Sequence, residues 1–114
     1  MKKIECMVRP ACLEQLVITM EKLDLGGMNI TQVVGYGSQK GAGDTSIYRG
    51  VEYTVKLKEK LKVETVVPDS MVETVIEQIL KATRTDSVGD GKIFIYNIEE
   101  AIRIRTGERG DAVI

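Results

Sequence analysis

The sequence predicts an α+β domain with the element order β-α-β-β-α-β, the order of the ferredoxin-like sandwich. Two observations carry this prediction. Some segments alternate apolar and polar residues or are rich in β-branched residues, as strands are, and two others repeat apolar residues every three or four positions, as helices do. The length of 114 residues suits one domain, so we expect a single domain over residues 1–114.

The first strand and helix are the clearest elements. Ile4, Cys6 and Val8 recur with a period of two, which predicts a strand that Pro10 ends. An apolar stripe at helical spacing follows, and we expect Gly26-Gly27 to end that helix. The stripe consists of Leu13, Leu16, Val17, Met20 and Leu23. We expect both Cys6 and Cys12 to be buried as small apolar residues.

A long glycine-rich segment follows the second predicted strand, residues 28–36. Its glycines stand among polar residues and predict a loop lasting to about Tyr53; they are Gly35, Gly37, Gly41 and Gly43. A loop of roughly 15 residues is too long for a simple connection in so short a chain, and such loops are usually functional or mobile.

The third strand, predicted over residues 53–67, carries a charged face. Its apolar residues take odd positions and its lysines even ones, so one face presents the ammonium groups of Lys56, Lys58, Lys60 and Lys62. Such a face is either solvated or part of a binding site.

The last elements are a helix, a loop and a strand. Ser70 and Glu73 have capping-box spacing at the start of the helix. Its apolar stripe is Met71, Val72, Val75, Ile76, Ile79 and Leu80. A second glycine loop at residues 85–92 precedes the fourth strand, residues 93–98, and the tail after it is too polar to be core.

The composition excludes several classes of protein. The 16 basic and 17 acidic residues balance, so nothing favours nucleic acid as a partner. The sequence has no histidine, which argues against acid–base catalysis near neutral pH and, with two cysteines, against a zinc site. Because no apolar run could cross a bilayer or act as a signal peptide, we expect a cytoplasmic protein without membrane insertion.

Three segments have the composition of an anion site. Backbone N–H groups of the two glycine loops could approach a phosphate, and Lys92 adds charge to the second. Arg103 and Arg105 stand two apart, so an extended segment would point both guanidinium groups the same way. The alternative is that the glycine loops are ordinary turns and that the two arginines lie on a solvent-facing strand face. Neither loop has the spacing of a Walker A or dinucleotide-binding motif, so both interpretations stay open.

Five short motifs in a fixed order carry a resemblance. They are Met1-Lys2-Lys3-Ile4-Glu5 with Arg9-Pro10; Gly35-Tyr36-Gly37 with Gln39-Lys40-Gly41; Tyr48-Arg49-Gly50-Val51-Glu52-Tyr53; Thr85 with Gly89-Asp90-Gly91-Lys92-Ile93-Phe94; and Ile102-Arg103-Ile104-Arg105-Thr106-Gly107-Glu108. With these motifs the chain resembles the PII nitrogen-regulatory signal-transduction proteins over almost its whole length.

The resemblance implies a homotrimer that binds ATP or ADP in the clefts between neighbouring subunits. The loop beginning at Gly37 would be the T-loop, residues 85–92 the B-loop, and Arg103 with Arg105 would come from the adjacent subunit. The nucleotide-binding positions it implies are Asn29, Gly35, Tyr36, Gly37, Ser38, Gln39, Glu64, Gly89, Asp90, Gly91, Lys92, Arg103 and Arg105.

The resemblance implies 2-oxoglutarate as a second ligand, bound with Mg²⁺ and ATP. Gln39 matches the residue that completes the magnesium shell, and Lys60 the one that pairs with the distal carboxylate. The backbone from Gln39 through Lys40 to Gly41 would assist. ADP lacks the γ-phosphate needed for that shell, so 2-oxoglutarate should bind the ATP form.

The resemblance also implies that the protein regulates others and is not an enzyme. The T-loop would contact an ammonium-channel protein or enzymes and regulators of nitrogen assimilation through Tyr48, Arg49 and Tyr53, and Tyr53 matches a tyrosine that is nucleotidylated in some members. A ferredoxin-like acyl-phosphate hydrolase is disfavoured because no glycine follows Arg9-Pro10, and RNA binding because Phe94 and Tyr96 are the only aromatic pair on the central strands.

Several positions depart from the family's common pattern. The T-loop is two residues longer, Ser38 replaces a frequent arginine, Asn29 a common threonine, and Asp86-Ser87 a typical Gly-Lys. Because two phosphate-directed cations are lost, a PII-like regulator with another small anion or nucleotide and a non-nitrogen target is the alternative.

Overall fold

The structure is a computed structural model that describes residues 1–36, 44–48, 51–55 and 57–114. The strands are β1 (Lys2–Val8), β2 (Asn29–Tyr36), β3 (Asp44–Tyr48), β4 (Val51–Val55), β5 (Leu57–Val67) and β6 (Lys92–Asn97), and the helices are α1 (Leu13–Lys22) and α2 (Val72–Thr83).

The described strands form an antiparallel sheet in the order β2-β5-β1-β6, with β3 and β4 paired apart from it as a hairpin. In the sheet, Ile4 of β1 lies opposite Thr65 of β5 on one side and Ile95 of β6 on the other. This order and the two crossing helices make the ferredoxin-like arrangement, so the predicted fold class is confirmed.

The core lies between one face of the sheet and the two helices. Alternate residues of β1 and β5 point into it, because side chains of a strand alternate between faces. Buried side chains from the sheet meet buried ones from the helices: Ile4, Cys6, Val8, Leu61, Val63 and Val67 against Leu16, Met20, Val75 and Ile79. The periodicity of the sequence thus identified most of the core, but Leu80 of the predicted stripe on α2 is exposed.

The other face of the sheet is covered by no described element and carries the polar residues of the same strands. Glu5 of β1 lies opposite Glu64 of β5 and Phe94 of β6, and these three positions share that open face. Lys60 and Lys62 lie on it along β5. Lys58, Lys60 and Lys62 of the predicted lysine face therefore share one face of β5, and Lys56 lies outside the described residues.

The predicted end of the first helix and the predicted start of the second were both wrong. α1 ends at Lys22, before Gly26-Gly27, because Asp24 takes the positive φ of 52° that leaves the helix. At the start of α2, Met71 stands at the cap position without a side-chain hydrogen bond, and Ser70 lies in a short 3₁₀ turn, Asp69–Met71. Ser70 and Glu73 therefore form no capping box.

Other local predictions also need correction. The segment predicted as loop to about Tyr53 contains the β3–β4 hairpin, and the strand predicted from Tyr53 is divided, with β5 beginning at Leu57. The polar composition of this segment gave no sign of strands, because β3 and β4 are held by pairing with each other. Cys6 is buried and Cys12 only half-buried, so one of the two burial predictions holds.

The described helices are too short and too polar for any of them to pass through a lipid bilayer.

Candidate functional site

A cleft of about 620 Å³ opens where the ends of three strands meet the loop of residues 85–92. β2 and β5 form one wall, and the loop with the start of β6 forms the other. The cleft is lined by Met7, Val33, Val34, Gly35, Tyr36, Lys58, Lys60, Ser87, Val88, Gly89, Asp90, Gly91, Lys92 and Phe94. Seven of the predicted ligand-binding residues lie together here: Gly35, Tyr36, Lys60, Gly89, Asp90, Gly91 and Lys92.

Arg9 fixes the loop from the end of β1. Its Nη1 donates to the Thr85 hydroxyl at 3.1 Å and to Asp90 Oδ1 at 3.0 Å, and its Nη2 donates to the Val88 carbonyl at 2.7 Å. One guanidinium thus holds three points of the loop, a use for which its fork of donors is suited.

Asp90 closes the loop on itself. Its carboxylate accepts from the Thr85 backbone N–H at 2.7 Å and also from the Thr85 hydroxyl. Those two hydrogen bonds from Thr85, and then the nearby Arg9 charge, hold the pKa of Asp90 below its ordinary value of 3.8. Asp90 is therefore ionised at neutral pH and already accepts hydrogen bonds from Thr85 and Arg9, so its role is to stabilise the loop.

Lys60 joins the sheet to the loop. Its ammonium donates to the Gly89 carbonyl at 2.8 Å. Burial, and next the Arg9 guanidinium, lower the pKa of Lys60 from 10.5. A cation held beside a second cation favours the arrival of an anion, which would relieve their repulsion.

The glycines at the end of the loop are required by its path. Gly89 and Gly91 have φ of 100° and 99°, in the left-handed region. A Cβ built on Gly91 would lie 1.7 Å from the Met7 carbonyl oxygen. The backbone of the loop therefore passes directly against β1, and Lys92 then enters β6 at the edge of the cleft.

Asn29 and Glu64 lie outside this cleft. They face each other across β2 and β5 and line a smaller pocket of about 260 Å³. The remaining lining residues are Lys3, Gly26, Gly27, Thr65, Val66, Val113 and Ile114. Glu64 is four residues beyond Lys60 on the same strand face, about 13 Å along β5.

The arginine pair does not line the cleft of its own chain. Arg103 and Arg105 do not lie in the extended segment that the sequence suggested, since the Gly107 N–H bonds to the Arg103 carbonyl at 2.7 Å and closes a turn. Arg103 pairs with Glu108 at 3.2 Å, Arg105 is exposed, and the Ile104 side chain between them is fully exposed.

The remaining predicted positions lie outside the residues whose side chains the structure describes. Gly37, Ser38, Gln39, Lys40, Gly41 and Arg49 fall in the undescribed stretches, and Tyr48 and Tyr53 are placed in the backbone of β3 and β4.

Sequence reasoning missed the part played by Arg9. The residue belongs to the Arg9-Pro10 motif, but the motif by itself gives no partner. Its partners follow it by more than 70 positions and become neighbours only because β6 pairs with β1. An arginine at the end of a predicted strand was the local signal that could have indicated it.

Comparison with known proteins completes the assignment. Residues 1–108 match the family described as nitrogen regulatory protein P-II. The chain belongs to the P-II family. It is 48% identical over 114 residues to a nitrogen regulatory protein P-II of Rhodospirillum rubrum and 47% to that of Haemophilus influenzae, covering 100% of both chains in each comparison. It is 43% identical to nitrogen regulatory protein P-II 1 of Escherichia coli K12, again over 100% of both chains.

Membership confirms the family resemblance and supports a role in nitrogen-regulatory signalling. It also agrees with the sheet order of the described strands. The family is one of signal-transduction regulators.

Proposed function

We propose that the protein senses nitrogen, carbon and energy status by binding ATP or ADP at subunit interfaces and 2-oxoglutarate together with Mg-ATP. The observation that carries this proposal is the convergence of Lys60, Lys92 and the left-handed glycines at one cleft. Backbone N–H groups of such a loop, with two ammonium groups nearby, suit phosphate and carboxylate oxygens.

The nucleotide site is completed by a second copy of the chain in a homotrimer. Glu64 and Asn29 line a different pocket from Lys92, and Arg103 and Arg105 lie on a separate turn. A neighbouring copy can bring these residues to the cleft, so that Gly89 to Lys92 of one copy and the arginines of the next grip the phosphates. Adenine then lies toward Glu64 and Asn29.

Mg²⁺ would be held largely by oxygen atoms of the ligands. Asp90 is the carboxylate of the described cleft and is occupied by Arg9 and Thr85. Gln39 is the protein ligand implied by the resemblance. The metal would hold the ATP phosphates and 2-oxoglutarate together, while Lys60 pairs with the distal carboxylate and the backbone at Lys40 and Gly41 assists.

The output is a change in the T-loop, residues 37–55. Binding of 2-oxoglutarate would order its base and change the presentation of Tyr48, Arg49 and Tyr53 to an ammonium-channel protein or to nitrogen-assimilation enzymes and regulators. Tyr53 is a candidate for nucleotidylation. The protein acts as a cytoplasmic regulator that performs no catalysis, binds no nucleic acid and does not insert into a membrane.

Calorimetry with ATP or ADP, each with and without Mg²⁺ and 2-oxoglutarate, tests this function. We expect either nucleotide to bind, and 2-oxoglutarate to bind with Mg-ATP alone. Lys92→Ala should abolish nucleotide binding with the trimer intact, and Gln39→Ala should lose 2-oxoglutarate but keep ADP. Binding of 2-oxoglutarate with ADP, or without any nucleotide, would contradict the proposal.

A regulator with altered ligand specificity is the second candidate. Ser87 lines the cleft where the family commonly has a lysine, and Asp86 before it is exposed with a φ of 63°. The cleft has therefore lost positive charge at the loop tip. If a smaller anion or another nucleotide binds more tightly than ATP in the same calorimetry, this candidate replaces the first, and the target need not belong to nitrogen metabolism.

A further inference from the structure

Two carboxylates stand directly opposite each other at the centre of the sheet. Glu5 of β1 pairs in register with Glu64 of β5, and both side chains occupy the open face. Glu5 is buried, with 8% of its surface exposed. Like charges placed opposite each other across strands repel, so each carboxylate needs a compensating partner to hold it in a fixed orientation.

Lys3 and Tyr96 supply the compensation. The Lys3 ammonium lies 3.4 Å from Glu64 Oε2 and 3.9 Å from Glu5 Oε1. It also lies 4.4 Å from the centre of the Tyr96 ring, and the Tyr96 hydroxyl donates to Glu5 Oε2 at 3.0 Å. Glu5 thus accepts a hydrogen bond on Oε2 and has the Lys3 charge near Oε1, while Lys3 is held between the ring and the two carboxylates.

This network ends at the smaller pocket, which Lys3 and Glu64 both line. A carboxylate accepts hydrogen bonds and offers none, so it favours a ligand edge that carries an amino group over one that carries a carbonyl oxygen. Adenine carries an amino group, where hypoxanthine carries a carbonyl.

We propose that Lys3, Glu5 and Tyr96 are positioning residues that hold Glu64 as the acceptor for the amino group of a bound purine, and so select adenine. The inference rests on the proposed function for the presence of a nucleotide and extends it to base selection. Lys3 does this by separating Glu64 from Glu5, and Tyr96 by fixing Glu5 and Lys3.

Calorimetry with ATP, inosine triphosphate and inorganic tripolyphosphate tests the inference. Tripolyphosphate reports the phosphate end alone, and inosine triphosphate has a carbonyl oxygen in place of the amine. We expect Lys3→Met to weaken ATP about tenfold, to nearly the affinity of inosine triphosphate, while tripolyphosphate binding changes less than about twofold. Tyr96→Phe should act in the same direction with a smaller effect.

Two further variants separate positioning from a general structural effect. Lys3→Met/Glu5→Gln removes the facing charge as well as the lysine, so it should bind ATP better than Lys3→Met alone. The matched control is Lys62→Met, which removes a lysine from the same face of β5, two residues from Glu64, and should keep the preference for ATP over inosine triphosphate.

The outcomes distinguish this inference from the proposed function. An unchanged ATP preference in Lys3→Met, or a double variant no better than Lys3→Met, would overturn the positioning role. Wild-type protein that binds tripolyphosphate without preferring ATP to inosine triphosphate would overturn base selection by Glu64 and leave the anion cleft standing. Wild-type protein that binds none of the three would overturn the proposed function itself.

Discussion

At the scale of single residues, Arg9 makes three hydrogen bonds to the loop of the cleft. Its guanidinium bonds to Thr85, Val88 and Asp90, so removing it leaves the Val88 carbonyl without this donor and the ionised Asp90 carboxylate with only its hydrogen bonds from Thr85. We expect Arg9→Ala to lower the melting temperature by about 4–10 °C and to weaken tripolyphosphate binding about tenfold. Calorimetry of unfolding and of binding measures both effects.

Arg84→Ala is the matched control for Arg9. Arg84 adjoins the same loop, but its side chain is exposed and its nearest carboxylate oxygen, on Asp86, is 4.0 Å away. Exposed pairs of this kind contribute little, so this variant should melt within about 2 °C of wild type. Equal effects of the two substitutions would mean that the loop depends on net charge and not on the contacts of Arg9.

Cys6 gives a second prediction at this scale. Its side chain is buried in the core, and burial, followed by the charge of Glu5, raises the pKa of its thiol to about 11. The thiolate is the reactive form, so only about one Cys6 in a thousand would be ionised at pH 8 even if reagent reached it. In a Cys12→Ala variant we expect no rapid reaction with a disulfide reagent at pH 8, and one reactive thiol after unfolding in urea.

The wild-type protein provides the comparison for Cys6. It retains Cys12, which is half-buried, so it should lose one thiol before unfolding and the second only afterwards. Rapid native reaction of the Cys12→Ala variant would show that β1 opens readily and would contradict a closed core at Cys6.

At the scale of elements, the close passage of the loop against β1 depends on Gly91. A side chain there would meet the Met7 carbonyl oxygen at 1.7 Å, in addition to the strain of a φ of 99°. We expect Gly91→Ala to lower the free energy of unfolding by more than about 3 kcal/mol, or to displace the loop and abolish anion binding. Urea unfolding and tripolyphosphate calorimetry measure these outcomes.

Gly107→Ala distinguishes the effect of the contact with Met7 from the effect of backbone strain. Its φ of 72° is also positive, but a Cβ on it would have nothing within 4 Å. Gly107→Ala should therefore cost only the backbone strain, about 1–2 kcal/mol. If both substitutions had the same cost, the contact with Met7 would have no energetic importance.

The elements themselves could be predicted wherever one face is buried. β1 and β5 alternate because one side chain in two enters the core, and both helices repeat their apolar residues for the same reason. β3 and the first residues of β4 escaped prediction because glycines and polar residues surround them and because their order comes from pairing between strands. The end of α1 escaped it because Asp24 adopts a conformation that glycine usually takes.

At the scale of the whole molecule, the sequence predicted the parts of the site better than their arrangement. The loop glycines and Lys60 do meet at one cleft, because β5 and β6 flank β1 in the sheet. Glu64 and the two arginines belong to other surfaces of the same chain. No local sequence pattern indicates which surfaces of two copies come into contact. The interface between copies therefore could not be predicted from composition and spacing.

Mixing two inactive variants tests whether a neighbouring copy completes the cleft. Lys92→Ala and Arg103→Ala should each bind ATP poorly when alone. If Lys92 and Arg103 of one site come from different copies, trimers formed by refolding an equal mixture of the two variants should contain intact sites. In such a trimer, the copy that supplies Lys92 has this lysine with a chance of one in two, and the copy that supplies Arg103 has this arginine with the same chance. Random assembly would restore about a quarter of the sites.

Calorimetric stoichiometry on the refolded mixture measures this fraction, with each variant refolded separately as the control. Light scattering should give about 38 kDa, three times the 12.6 kDa of one chain, for every sample. If each site took both residues from one copy, mixing could restore none, because no chain in the mixture carries both. Sites restored at near a quarter would therefore identify the interface as the place where the phosphate ligands converge, and would explain why Arg103 and Lys92 line no common cleft within one chain.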